Sequence, residues 1–141
     1  MGAVRIICVG NRHHSGDDLG ARVHDLLAAT TLPTGVELID GGLKGLDLLR
    51  FVEGGGRAVF VDAIDGFGAD GLPMVLDGGR VAALAGGAWG HGAGLPWLFN
   101  LAPKVCDGPL AEMLVVGAQP PADGGTVAAV AARALAEAVR P

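Results

Sequence analysis

The sequence predicts an α/β fold, a single-domain three-layer sandwich whose mostly parallel five-stranded sheet has helices on both faces. Short apolar segments alternate with segments of helical spacing, which is the pattern of βαβ units. The apolar segments are continuous rather than alternating, as expected for strands that are buried on both faces. The chain has 141 residues, a length that suits one core, so residues 1–141 are expected to form one domain.

The predicted elements follow in order along the chain. Five apolar segments are expected to be strands: 4–9, 36–39, 58–64, 74–76 and 113–118. A first helix is expected to begin near Asp17, with Ser15 or Asp17 as its N-cap, and to close before Pro33. Three more helices are expected at 43–52, 95–101 and 126–139, and Pro103 is expected to limit the one at 95–101. Residues 80–93 are small and glycine-rich, which predicts a loop.

Glycine is the most unusual feature of the composition. The chain contains 25 glycines in 141 residues, about 18% where ~7% is usual. They follow no three-residue period, which excludes a collagen-like helix. Because glycine loses more conformational entropy on folding than other residues, we expect tight turns and close approaches of backbone to other groups.

Charge and cysteine usage exclude several classes of protein. The net charge is -5 and no segment clusters Lys or Arg, so a nucleic-acid partner is not expected. Cys8 and Cys106 are far apart, which argues against a disulfide scaffold and a zinc ribbon, and Cys8 is expected to be buried. No signal-peptide pattern and no apolar run of ~18 residues occurs, so we expect a cytoplasmic protein with no membrane association.

The candidate site lies where strands of the predicted sheet end. Ligands of open α/β sheets gather beyond the carboxyl ends of the strands, near the switch in strand order. If the order is 2-1-3-4-5, the first and third strands are neighbours, and Asp17 and Asp62 flank one crevice. His91, in the glycine-rich segment after the fourth strand, could close over it. Two carboxylates and one imidazole suit nickel, zinc or another borderline divalent ion.

Other interpretations of these residues stay open on sequence alone. Asp17 and Asp18 could simply cap the first helix, and His91 could be a loop histidine bonded to backbone. Asp62 lies in an apolar strand, so its carboxylate needs either a polar partner or a position at the end of the strand. A nucleotide site is disfavoured, because the first turn has neither the G-x-G-x-x-G spacing nor the lysine of a P-loop.

Several blocks of sequence, in a fixed order along the chain, resemble a known family. The blocks are Val9-Gly10-Asn11, Asp17-Asp18-Leu19-Gly20, Val36-Glu37-Leu38-Ile39-Asp40-Gly41-Gly42, Val61-Asp62-Ala63-Ile64, His91-Gly92-Ala93-Gly94-Leu95 and Val115-Val116-Gly117-Ala118-Gln119-Pro120. They resemble the [NiFe]-hydrogenase maturation proteases. The resemblance implies an α/β sandwich and assigns Asp17, Asp62 and His91 as both the metal-contacting and the catalytic residues.

The resemblance also implies an activity. A metal-dependent endopeptidase of this kind removes the C-terminal extension of a nickel-loaded hydrogenase large-subunit precursor, which is then the expected partner. The nickel is supplied by the precursor, and another divalent ion could occupy the site in isolation. The glycines at 41–42, 86–87 and 92–94 are expected to let an extended substrate tail lie close to backbone.

Two alternatives from other classes remain at this point. One is a non-catalytic metal-sensing or assembly-chaperone module for hydrogenase maturation, and the other is a small nucleotide-binding α/β domain. Within the protease interpretation, the sequence leaves open whether the metal polarises the scissile carbonyl, activates water or only signals complete assembly.

Overall fold

The computed structural model describes residues 2–43, 45–65, 71–84 and 94–141. The strands in these ranges are β1 Val4–Val9, β2 Val36–Gly42, β3 Arg57–Ala63, β4 Met74–Asp77 and β5 Glu112–Ala118. The helices are α1 Leu19–Ala28, α2 Gly78–Ala83, α3 Leu95–Val105 and α4 Gly124–Val139, with a 3-10 helix at Leu46–Phe51. The prediction of an α/β fold with a five-stranded sheet is confirmed.

The five strands form one sheet in the order β2-β1-β3-β5-β4. β1, β2, β3 and β5 pair in parallel, while β4 is antiparallel to β5. The conditional order 2-1-3-4-5 is therefore wrong at this side of the sheet, although β1 and β3 are neighbours as expected. The reason is burial: β5 has five consecutive buried residues and takes the inner position, whereas the four-residue β4 has one and lies outside it.

Both faces of the sheet are covered, which explains the continuous apolar strands. Along β1, Ile6 and Cys8 join the core on the side of α1 and α4, while Ile7 and Val9 join the core on the side of α2 and α3. Each strand thus contributes alternate residues to two separate cores. Cys8 is 1% exposed, as predicted, and both cysteines are free thiols.

Three predicted segments differ from the structure. Residues 78–83, which overlap the predicted loop, form α2, because the Asp77 side chain accepts a hydrogen bond from the Arg80 N–H at 2.9 Å and caps a helix. Residues 85–93 of that loop lie outside the described residues. The helix predicted at 43–52 is a six-residue 3-10 helix that follows Gly45. The prediction that Pro103 limits the helix before it is wrong.

Pro103 lies inside the last turn of α3, which continues to Val105. A proline there removes one backbone hydrogen bond close to the helix end, where the loss is smallest. The buried side chains of Leu98, Phe99 and Ala102 hold this part of the helix on the sheet, and the rings of Phe60 and Phe99 are 5.1 Å apart. Among the helices described, none is long and apolar enough to cross a membrane.

Candidate active site

The loop between β1 and α1 is folded back on itself around Asp17. The Asn11 N–H donates to the Asp17 carbonyl oxygen at 2.9 Å and to its carboxylate Oδ2 at 3.1 Å. The Asp17 N–H donates to the His14 carbonyl oxygen at 2.8 Å. These three bonds hold the half-buried Asp17 carboxylate just beyond the end of β1.

The prediction that Ser15 or Asp17 caps α1 is wrong. Asp18 occupies the N-cap position, and its side chain makes no capping hydrogen bond. Asp17 lies one residue too early, and its Oδ2 already accepts the bond from Asn11. The Asp17 side chain therefore closes the loop rather than the helix.

Gly10 is the residue that lets this loop close. Its φ of +134° lies in a region that L side chains rarely adopt, and a Cβ added there would lie 2.4 Å from the Asp17 carbonyl oxygen. A larger residue at position 10 would both strain the backbone and displace Asp17. The sequence block Val9-Gly10-Asn11 carries this signal, but only the structure shows which atom the glycine accommodates.

Asp62 lies near the carboxyl end of β3, the strand beside β1. It is the next-to-last residue of β3 and is 8% exposed. Phe60 and Ile64, two residues before and after it, both belong to the core beside α3, so strand alternation directs Asp62 to that face. Asp62 makes a polar or electrostatic contact with a neighbour, as a carboxylate this deeply buried requires.

The topology brings Asp17 and Asp62 to the carboxyl-terminal edge of two adjacent strands. β1 and β3 are parallel neighbours, with Cys8 opposite Val61. Asp62 follows directly after that pair, and Asp17 is tied to Asn11, two residues beyond the last residue of β1. His91 lies outside the described residues. Within the described ranges no three His, Cys, Asp or Glu side chains are grouped to hold a metal ion.

His13 and His14 are exposed in the same loop. The Nδ1 atom of His14 accepts a hydrogen bond from the Gly16 N–H at 3.3 Å, and the His13 N–H donates to the Asn11 side chain at 3.0 Å. Both contacts stay within the loop. The two imidazoles therefore belong to the rim of the site.

Arg12 connects this loop to two other elements. Its guanidinium lies 3.0 Å from Asp25 on α1 and 3.7 Å from Asp40 on β2. The hydrogen bond from Arg12 lowers the pKa of Asp25. Burial, with a smaller contribution from Asp40, raises the pKa of the Cys8 thiol to about 12, so Cys8 is not a nucleophile here.

The two neighbouring glycines at 41–42 differ in the space around them. Gly41 sits at an irregularity of the β1–β2 pairing, and a Cβ there would lie 2.9 Å from Val9 Cγ1, so this glycine serves internal packing. A Cβ at Gly42 would meet only Asp40, at 3.9 Å. Of these two glycines, Gly42 is the one with open backbone, as the predicted contact with a substrate tail would require. The glycines at 86–87 and 92–93 lie outside the described residues.

Several solved structures are similar to this chain over most of its length. The hydrogenase maturating endopeptidase HybD from E. coli has a TM-score of 0.75 and 26% identity, and the match covers 96% of this chain and 89% of that protein. The hydrogenase 2 maturation peptidase from a Thaumarchaeota archaeon has a TM-score of 0.60 and 26% identity, with 99% of both chains covered.

A more distant structure has the same fold. The maturation protease HycI from Thermococcus kodakarensis has a TM-score of 0.70 at 20% identity, with 99% of this chain and 93% of that protein covered. No protein-family model and no curated protein matches the sequence.

The chain is thus similar to hydrogenase maturation endopeptidases in fold and, at 26% identity, in sequence. The resemblance that the sequence blocks indicate is confirmed, and so is the prediction that the chain is a peptide-bond hydrolase of this type. In this chain, Asp17 and Asp62 come from two of the blocks that carry the resemblance. The block around His91 lies largely outside the described residues.

Proposed function

We propose that this protein is a metal-dependent endopeptidase that removes the C-terminal extension of a nickel-loaded [NiFe]-hydrogenase large-subunit precursor. The observation that carries the proposal is the position of Asp17 and Asp62 after neighbouring parallel strands, in a chain similar to maturation endopeptidases. His91 is the proposed third residue. We also propose that residues 1–141 act as one domain in the cytoplasm.

The proposed residues suit the chemistry of a borderline divalent ion. Two carboxylates and an imidazole are a mixed oxygen and nitrogen donor set of the kind that nickel and zinc accept. In this proposal the nickel belongs to the substrate, since the precursor supplies it, and another divalent ion can take its place in the isolated protein. A cation would stabilise the charged form of Asp62, which is 8% exposed.

The two acids have two tasks in this proposal, which are to contact the cation and to transfer a proton. The bond from the Asn11 N–H uses Oδ2 of Asp17, so Oδ1 would be the oxygen that contacts the cation. Peptide hydrolysis also requires a group that accepts a proton from the attacking water and returns it to the leaving amine. Asp17 and Asp62 are the acids that we propose for that step, and a bound metal would polarise the scissile carbonyl or activate the water.

The decisive experiment is a processing assay on a precursor from the same genome, loaded with nickel or free of it. We expect the wild-type protein to cut only the nickel-loaded precursor. Asp17→Asn and His91→Ala should lose that activity while remaining folded. Glu37→Gln is the matched control, because Glu37 is an exposed acid paired with Arg5 at the opposite edge of the sheet.

Three outcomes would contradict parts of the proposal. Normal processing by Asp17→Asn or His91→Ala would show that the assigned residues are wrong. Equal cutting of nickel-free precursor would remove the metal from recognition. A wild-type protein that binds the nickel-loaded precursor without cutting it would be the assembly chaperone instead.

A further inference from the structure

Gly117 stands directly opposite Asp62 in the sheet. The two residues are register partners in the parallel pairing of β3 with β5. A Cβ added at Gly117 would lie 2.2 Å from the Asp62 carbonyl oxygen and 2.6 Å from Cδ1 of Ile64. Real Cβ atoms essentially never come within 3.0 Å of such neighbours. Any side chain at position 117 must therefore displace the backbone of Asp62, the side chain of Ile64, or both.

The requirement for glycine at this position is one of space. Gly117 is not among the glycines with positive φ, so other residues could adopt its backbone conformation. Most glycines that carry a positive φ serve turns instead, and a Cβ at Gly35, Gly54 or Gly108 would meet nothing within 4 Å. The absent side chain of Gly117 is thus matched to two neighbours, the backbone of Asp62 and the side chain of Ile64, and the backbone of Asp62 is the nearer of the two.

The backbone around Asp62 has little freedom to absorb a displacement. The β3–β5 ladder continues past it, since Ala63 pairs with Ala118 and the Ile64 N–H donates to the Ala118 carbonyl oxygen at 2.9 Å. Phe60 and Ile64 are fully buried on the same face. A displacement of the Asp62 carbonyl group would therefore also move the Cα and the carboxylate of this residue.

We infer that Gly117 is a positioning residue for Asp62 in the proteolytic reaction, an inference that rests on the proposed function. By leaving the space beside the Asp62 carbonyl empty, Gly117 sets where the carboxylate stands relative to Asp17. Displacement of a reacting group by about 1 Å can lower a rate by about 10²-fold. Gly117 makes no contact with substrate in this role; it acts through the backbone of its strand partner.

The test compares two glycines at opposite edges of the sheet, at each of which a Cβ would lie within 2.2 Å of a backbone carbonyl oxygen. Gly117→Ala should lower kcat/KM on nickel-loaded precursor about 10²-fold per folded molecule. It should also weaken binding of Ni²⁺ to the isolated protein in a calorimetric titration. Gly56→Ala, next to the start of β3, is the more severe control, because a Cβ there would lie 2.1 Å from the Ala3 carbonyl oxygen and the φ of +84° adds backbone strain. The Gly56→Ala variant should have a lower Tm but unchanged kcat/KM per folded molecule and unchanged binding of Ni²⁺.

A second pair of variants separates positioning from crowding of the core. Ile64→Ala removes the two side-chain atoms, Cγ1 and Cδ1, that a Cβ at 117 would meet, but it leaves the contact with the Asp62 carbonyl oxygen. We expect the double variant Gly117→Ala/Ile64→Ala to fold and still to process about 10²-fold more slowly than Ile64→Ala alone. Recovery of the Ile64→Ala rate in the double variant would overturn the inference, because crowding would then explain the whole effect.

The proposed function can fail separately. If the wild-type protein does not cut the nickel-loaded precursor, the proposed function is wrong and this inference falls with it. If the wild type cuts the precursor and Gly117→Ala cuts it equally well, only the role of Gly117 is wrong.

Discussion

At the amino-terminal edge of the sheet, an arginine in one strand stands opposite a glutamate in the next, whereas at the carboxyl-terminal edge Asp62 stands opposite a glycine. Arg5 lies 2.8 Å from its register partner Glu37, and Arg57 lies 2.7 Å from its register partner Glu112. The first edge matches opposite charges across strands, which stabilises a sheet. At the second edge, a glycine lets the backbone of Asp62 approach closely, which fixes the position of a residue of the proposed site.

The amino-terminal edge also secures the end of α4. Arg57 donates to the Glu137 carbonyl oxygen at 3.1 Å and to the Ala138 carbonyl oxygen at 3.3 Å, where a helix end needs donors. Arg140 pairs with Glu112 and with Glu137, each at 3.1 Å. A groove of about 460 Å³ lies nearby, against β4, α3 and the end of α4. Neither Asp17 nor Asp62 lines this groove, so it is separate from the proposed site.

The largest expected effect comes from neutralising the buried acid of the carboxyl-terminal edge. Asp62→Asn keeps the shape of the side chain and removes its charge, so processing should fall about 10²–10⁴-fold with the fold retained. The measurement is kcat/KM on nickel-loaded precursor, beside circular dichroism of the variant. Glu112→Gln, which breaks ion pairs at the other edge, should keep the processing rate per folded molecule; an equal loss there would remove the distinction between the edges.

A second variant tests whether the β1–α1 loop holds Asp17 in place. Gly10→Ala adds a Cβ 2.4 Å from the Asp17 carbonyl oxygen at a φ of +134°, and the strain should cost about 1–3 kcal/mol of unfolding free energy. Processing should fall as well, because Asp17 moves. Gly35→Ala has a positive φ of +86° but nothing within 4 Å, so it should lose stability alone. Equal processing by the two variants would contradict this role of Gly10.

A third variant addresses the amino-terminal edge itself. Arg57→Ala removes the partner of Glu112 and the donors to the end of α4, which should cost about 1–2 kcal/mol. Denaturant unfolding measures that loss. Processing per folded molecule should stay unchanged, and a large drop in kcat/KM would show that this edge takes part in the reaction.

The smallest expected effect is a pH dependence of stability. Hydrogen bonds from the Thr126 backbone lower the pKa of Asp123, the N-cap of α4, and the hydrogen bond from Arg57 lowers the pKa of Glu112. A carboxylate whose pKa is lower in the folded protein stabilises it above the ordinary values, 3.8 for Asp and 4.5 for Glu. That stabilisation is lost as the pH falls through the folded values.

Thermal unfolding between neutral and acidic pH checks this expectation. Asp123→Asn keeps an N-cap acceptor but cannot titrate, so its Tm should fall less steeply as the pH is lowered. A slope equal to that of the wild-type protein would show that the Asp123 cap does not contribute to the pH dependence.

Local chemistry made most of the fold predictable. The continuous apolar strands indicated a sheet buried on both faces. The positions of Asp17 after β1 and of Asp62 near the end of β3 indicated these two acids as candidate site residues. The position of β4 was not predictable in this way, because its four residues carry no signal for a parallel or antiparallel partner. The prediction for the cap of α1 was wrong because the Asp17 carboxylate accepts a hydrogen bond from Asn11, which precedes it in the chain. That bond depends on how the whole loop closes.

The sequence by itself determined the fold class and the acids that follow β1 or lie near the end of β3, because hydrophobic periodicity and strand termini are local properties. Only the tertiary structure decided that β1 and β3 are neighbours, that β5 separates β3 from β4 and that Gly117 faces Asp62. Strand order and register arise from burial of both faces at once, and that is a property of the assembled sheet.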